Sequence, residues 1–174
     1  MQKDLPKRKS IRLPGYDYSQ PGYYFVTFCV ESKRKLLGRV VGSGFHPRPS
    51  VELTKIGIEV QKSIQHVGSG FHPRPNNAGI EIQKYVIMPN HIHMIVVLTA
   101  VGDGTPTLQS VVGRIKSYTT KRWNDINNTK YETLWQSGFH DHIIRSEAGY
   151  QRIWQYIDEN PARWVDDRYF IEEL

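Results

Sequence analysis

Hydrophobic and polar positions change period along the chain, and the period names the elements. "GYYFVTFCV" (Gly22 to Val30) concentrates aromatic and β-branched residues and predicts a first strand. "KLLGRVV" and "SVEL" predict the two arms of a short hairpin. The helix "KIGIEVQKSIQHV" follows, capped by Thr54, with Ile56, Val60 and Ile64 at four-residue spacing on one face. "IEIQKYVIM" (Ile80 to Met88) alternates like a half-buried strand, "PN" turns the chain, and "HIHMIVVL" returns beside it. Past a loop containing "GDGTPT", the run "LQSVVGRIKSYTTKRWN" carries Leu108, Val111, Val112, Ile115 and Tyr118 as a helical stripe with basic residues opposite. "FHDHIIR" (Phe139 to Arg145) predicts a further strand, and "EAGYQRIWQYIDEN" (Glu147 to Asn160) a last helix stopped by Pro161. Strands and helices that do not alternate strictly predict an α+β fold, an antiparallel sheet covered by helices.

One feature breaks the periodic reading. "VGSGFHPRP" occurs at Val41 to Pro49 and again, identically, at Val67 to Pro75. Two copies do not make a solenoid, and their Gly and Pro content marks loops. The echo after each copy, "GIEVQK" and "GIEIQK", falls at different offsets, as translated repeat DNA would. His46 and His72 in these loops are metal candidates that nothing else in the sequence supports.

Composition narrows the class. The chain has 174 residues, 39% of them hydrophobic and 23% charged, which predicts one soluble globular domain over residues 1–174. No apolar run approaches the roughly 18–20 residues of a membrane span, and the basic N-terminus lacks the apolar stretch of a secretory signal. A single cysteine, Cys29, excludes an internal disulfide and fits a reducing compartment, so a cytoplasmic protein is expected. The formal net charge of +6 and pI near 9.4 favour a polyanionic partner, with nucleic acid the commonest. Much of that excess sits in an arm over residues 1–15, including Lys3, Lys7, Arg8, Lys9 and Arg12.

The candidate chemistry lies in "YVIMPNHIHMIVVL". On a strand, His91 and His93 point to one face and Ile92 to the other. Such a pair can hold a divalent metal through neutral imidazoles, contact phosphate, or be two unrelated satisfied histidines. "FHDHII" offers a rival pair, His140 and His142, around Asp141. The aliphatic run after His93 favours the first pair, since a central, rigid strand holds geometry best. In "QYIDEN", Tyr156 and Asn160 share a helix face four residues apart. Asn160 can offer an amide oxygen to a hard cation such as Mg²⁺ or Mn²⁺, and Tyr156 a phenolic oxygen. The plainer readings are a core aromatic and a helix terminator.

Together, "MPNHIH", "LWQSGFHDHIIR", "YIDENPARW" and the opening "RKSIRLPGYDYSQPGYYFVTFCV" resemble the REP-associated tyrosine transposases, within the single-tyrosine HUH transposases of bacterial insertion sequences. The resemblance spans nearly the whole chain. It implies a ferredoxin-like or RRM-like fold with the HUH pair on a central strand. It also implies that His91, His93 and Asn160 ligate Mg²⁺ or Mn²⁺, and that Tyr156 attacks a DNA phosphate. The products would be a 5′-phosphotyrosine and a free 3′-hydroxyl, followed by strand transfer. No nucleotide cofactor is expected, and no P-loop pattern is present. The implied substrate is single-stranded DNA folded into hairpins at palindromic repeats.

Candidates for DNA contact are Lys7, Arg8, Lys9 and Arg12 in the arm, Arg114, Lys116, Lys121 and Arg122 on the middle helix, and Arg145. A homodimer with tyrosine helices serving the partner's histidines and a monomer are both compatible with the resemblance. Two departures stand out: His140 is less expected than His142, and residues 41–49 and 67–75 read as inserted loops. Two other functions remain open from sequence. One is a hairpin-binding protein of the same fold without chemistry, the other a hydrolase using His91, His93 and Asp141 or His142.

Overall fold

The computed structural model describes residues 20–42, 48–68, 79–100 and 106–172. Lys7, Arg8, Lys9 and Arg12, and most of both nonapeptide copies with His46 and His72, lie outside the described residues. Strands run over Gly22–Cys29 (β1), Gly38–Val41 (β2), Ser50–Leu53 (β3), Ile80–Ile87 (β4), His91–Leu98 (β5) and His140–Ile144 (β6). The α-helices are Lys55–Gly68 (α1), Leu108–Asn127 (α2) and Glu147–Glu159 (α3). β2 and β3 form the small hairpin expected from their sequence. The other four strands form one antiparallel sheet in the order β4-β5-β1-β6. With α1 between β1 and β4, and α2 between β5 and β6, this is the ferredoxin-like α+β arrangement. Its histidine strand β5 is interior.

Alternation divides the sheet into two faces. On one, Ile92, Met94, Val96 and Leu98 of β5 and Tyr24, Val26 and Phe28 of β1 pack against Ile56, Val60 and Ile64 of α1 and Val111, Val112 and Ile115 of α2. Thr54 caps α1 by accepting the Gly57 N–H at 3.2 Å. Thr107 caps α2 by accepting the Ser110 N–H at 3.1 Å, an arrangement worth about 1 kcal/mol. Tyr118 departs from the predicted stripe. It is exposed and donates its hydroxyl to Glu59, while buried Thr119 takes the core position and accepts from the Trp135 indole.

The second face is covered by α3, whose Ile153, Trp154 and Ile157 pack on Phe25, Val86, Ile95 and Ile144. All eight residues of β5 are therefore buried. A register shift in β4 between Ile82 and Lys84 marks a bulge that re-aims the side chains beyond it. Gln83 at that bulge accepts the Tyr150 hydroxyl at 2.9 Å, and Lys84 meets Asp158 at 2.6 Å, so β4 holds α3 at two points.

Pro161 does not end the helical path. The chain continues as a 3-10 helix, Asn160–Asp166, with Pro161 in its first turn, where a missing N–H is tolerated. A kink at Arg163 and burial of Trp164 then swing the chain back toward β5. The nonapeptide copies also begin in different structures, Val41 closing β2 and Val67 buried within α1. Local sequence identity is overridden there by what each segment packs against.

Candidate active site

β5 delivers His91 and His93 to the face beneath α3, with their Nε2 atoms 3.0 Å apart. Each ring is fixed from behind. Asn90 donates its amide hydrogens to the carbonyls of Lys33 (3.1 Å) and Tyr169 (2.8 Å), which leaves its Oδ1 facing His91 Nδ1 at 2.8 Å. That oxygen only accepts, so His91 carries its proton on Nδ1 and presents a lone pair on Nε2. Thr27, paired with His93 across β1 and β5, sets its hydroxyl 2.7 Å from His93 Nδ1. A hydroxyl can donate or accept, so it serves either tautomer of His93.

Burial favours the neutral form of both imidazoles. Burial pushes His91 down to about 3, helped by the charges of Lys33 and Arg168. Burial also pushes His93 well below its usual value; a charge on neighbouring His91 would push it further, and Asp167 opposes. The rings lie among aromatics: Phe25 stacks on His93 at 5.3 Å, and Tyr169 lies 4.5 Å from His91. Neutral, buried, outward-facing imidazole nitrogens are what a divalent metal needs.

Tyr156 stands over the pair on α3, its hydroxyl oxygen 3.2 Å from His93 Nε2. The reach is within one chain. Tyr156 is 38% exposed where the histidines are sealed, so a substrate can approach the phenol. Burial, then the charge of Asp167 and the nearby Tyr169, push its pKa up to about 12, so the resting side chain is the protonated phenol.

Asn160 lies one turn beyond Tyr156 and is buried. Its amide nitrogen donates to Asp167 Oδ2 at 3.0 Å, while its Oδ1 has no hydrogen-bond partner. An orphaned buried oxygen costs about 1–3 kcal/mol unless a ligand satisfies it.

Asp167 is the residue that the sequence did not point to. The 3-10 return brings its Oδ2 to 3.9 Å from His91 Nε2 and 3.5 Å from the Tyr156 hydroxyl, while its Oδ1 accepts the Tyr169 N–H at 2.6 Å. Among the described residues, His91, His93 and Asp167 are the group of His, Cys, Asp or Glu side chains whose ligand atoms come together, all within 4.8 Å. Two imidazole nitrogens and a carboxylate fit a divalent cation, and the unpartnered Asn160 Oδ1 belongs to a residue bonded to that carboxylate. Nothing in the sequence of "WVDDRYF" marks Asp167 except its acidity. Its position depends on the kinked 3-10 segment.

His140 and His142 share the sheet face of the first pair but stand on β6, across β1. Two strand spacings, about 10 Å, separate the pairs, too far for one ion. Both are exposed. The basic candidates divide. Arg114, Lys116, Lys121 and Arg122 lie on α2, which covers the opposite face of the sheet. Arg122 bonds Glu59 at 3.0 Å, and Lys116 donates to the carbonyls of Gln136 (2.7 Å) and Gly138 (2.6 Å), with burial bringing its pKa down to about 8. Lys121 is exposed, as is Arg145, directly after β6. Among the described residues no helix is long and apolar enough to cross a membrane.

Known proteins resemble both this chain and its fold. A protein of Haemophilus influenzae of uncharacterized function is 29% identical over 183 residues, spanning 95% of this chain and 94% of its own length. The solved structure of a REP-associated tyrosine transposase bound to a REP hairpin superposes with a TM-score of 0.58 over 88% of this chain and 74% of that one. At 23% identity, that likeness is one of fold. The family model of the IS200-like transposases matches residues 54–160, from the cap of α1 through the histidine pair to Asn160, and the chain belongs to that family.

Proposed function

We propose that this protein is a REP-associated tyrosine transposase that cuts and rejoins single-stranded DNA at hairpin-forming palindromic repeats. The observation that carries the reading is the placement of the Tyr156 hydroxyl, 3.2 Å from His93 Nε2, beside two neutral imidazoles. The hairpin-bound relative of the same fold supports the choice of substrate.

His91, His93 and Asp167 would hold a divalent ion, Mg²⁺ or Mn²⁺, with Asn160 Oδ1 as a further oxygen. Bound there, such an ion would supply Lewis acidity to offset the negative charge that develops during attack on the phosphate. Asn90 and Thr27 hold the imidazoles in orientation. α3, fixed to β4 through Lys84 and Gln83, sets Tyr156 over the reacting phosphorus. The Tyr156 oxygen forms its bond to phosphorus as the P–O3′ bond breaks. The phenol proton leaves to solvent as that bond forms, and the departing 3′ oxygen takes a proton from solvent. The phosphotyrosine retains the phosphoester bond, so a later 3′-hydroxyl can displace Tyr156 without a nucleotide cofactor.

Cleavage of a hairpin-bearing single strand under single-turnover conditions with Mn²⁺ tests the reading. Wild type should cleave. Tyr156→Phe and a chelator should each abolish cleavage, while Tyr156→Phe still binds the hairpin. Cleavage that survives Tyr156→Phe, or tight hairpin binding by wild type with no cleavage, would leave a binding protein or a different enzyme.

A further inference from the structure

Two cavities lie beneath α3, one opening toward the edge strand β6 and one under the start of α3, reaching from β6 across to Gln83 of β4. One, of about 550 Å³, contains Tyr156 and His93 and continues past Phe25 to His140 and His142. The other, of about 460 Å³, is lined by Tyr23, Gln83, Arg145, Glu147 and Tyr150. They are successive rungs of one surface. Phe25 pairs with His142 across β1 and β6, and Tyr23 pairs with Ile144 two residues further along the same face.

A strand engaged at Tyr156 must leave the cleft somewhere. The β5 side is sealed, since His91, Trp164 and Tyr169 are all buried. The β6 side is open, with His140, His142 and Arg145 exposed and Tyr23 43% exposed. A half-exposed aromatic ring held edge-on by Tyr150 at 5.8 Å, beside a guanidinium, is the chemistry of a base-stacking platform. Two exposed imidazoles suit phosphate oxygens, and their distance from the first pair removes them from its ion.

We infer that the groove along β6 seats the single-stranded DNA adjoining the scissile phosphate, with His140 and His142 against its backbone and one base stacked on Tyr23 beside Arg145. The inference rests on the function proposed above and gives the second histidine pair and Arg145 a substrate-binding role.

The test uses the full chain carrying Tyr156→Phe, so that binding is read without cleavage. Its probes are a blunt DNA hairpin, the same hairpin with a single-stranded flank, and flanks with one abasic position at a time. One abasic position should weaken flank binding by about fivefold or more, the effect of losing a stacked base. Adding Tyr23→Ala should weaken binding of the intact flank by a similar factor and abolish the penalty at that position. Tyr23→Phe should restore both. His140→Ala with His142→Ala should weaken the flanked hairpin and leave the blunt one unchanged, which also reports that the variant is folded. Abasic penalties unchanged by Tyr23→Ala, or equal losses for blunt and flanked hairpins, would overturn the groove. Adduct formation by wild type, read in parallel, separates the two readings. An adduct without Tyr23 coupling removes the groove and leaves the chemistry, and coupling without an adduct does the reverse.

Discussion

Asn90 spends both amide hydrogens on the carbonyls of Lys33 and Tyr169, and this decides which nitrogen of His91 carries the proton. The ring is thereby set with its Nε2 lone pair toward His93 and Asp167 before any ligand arrives. Replacing such an orienting partner typically costs 10- to 100-fold in metal affinity. Asp167 contributes more directly, through charge. Asp167→Asn keeps the shape and removes the anion, so the Mn²⁺ concentration for half-maximal cleavage should rise by about tenfold or more. Hairpin affinity in the absence of metal should stay unchanged. An unaltered Mn²⁺ midpoint would remove Asp167 from the ligand set.

Elements whose partners are regular were legible in the sequence. β1, β4, β5 and β6 showed themselves by alternation and β-branched content, and α1 and α2 by apolar stripes that do form the core. Strand and helix period showed His91 with His93, and Tyr156 with Asn160, as pairs sharing a face, but it was the resemblance and not the period that singled them out as a site. Asp167 was not legible, since a 3-10 segment with a kink at Arg163 has no period to follow. Nor does periodicity locate Gln83 at a bulge or foretell that Arg122 is occupied by α1. That contact supports a prediction on acid stability. Glu59 of α1 accepts from Lys62, Arg122 and Tyr118, and these bonds, those of Lys62 and Arg122 foremost, hold its carboxyl down at about 2. A depressed carboxylate pKa stabilises the fold above the ordinary value of about 4.5, and the contribution is lost as pH falls toward about 2. Glu59→Gln should lower the melting temperature at neutral pH by roughly 2–4 °C, the shift of about 1 kcal/mol in a chain of this size. The difference from wild type should close between pH 4.5 and 2. A gap that persists at the acid end would assign the loss to shape rather than charge.

At the scale of the whole molecule, α3 packs on its own sheet and its Tyr156 hydroxyl meets His93 of the same chain. Mixing Tyr156→Phe with His93→Ala protein should therefore restore no cleavage, whereas restored activity would mean that α3 serves a partner copy. Over this frame, one face of the sheet is filled by α1 and α2, and the other carries the tyrosine, the candidate metal ligands and the open side along β6. The measurement closest to the central claim is recovery of the covalent adduct from hairpin DNA labelled at one end or the other, with Mn²⁺, followed by peptide mapping. The 3′-labelled strand should stay on the protein, attached to the peptide containing Tyr156, and the 5′-labelled fragment should be released with a free 3′-hydroxyl. An adduct on another residue, an adduct retaining the 5′ label, or none at all with hairpin bound would contradict that claim.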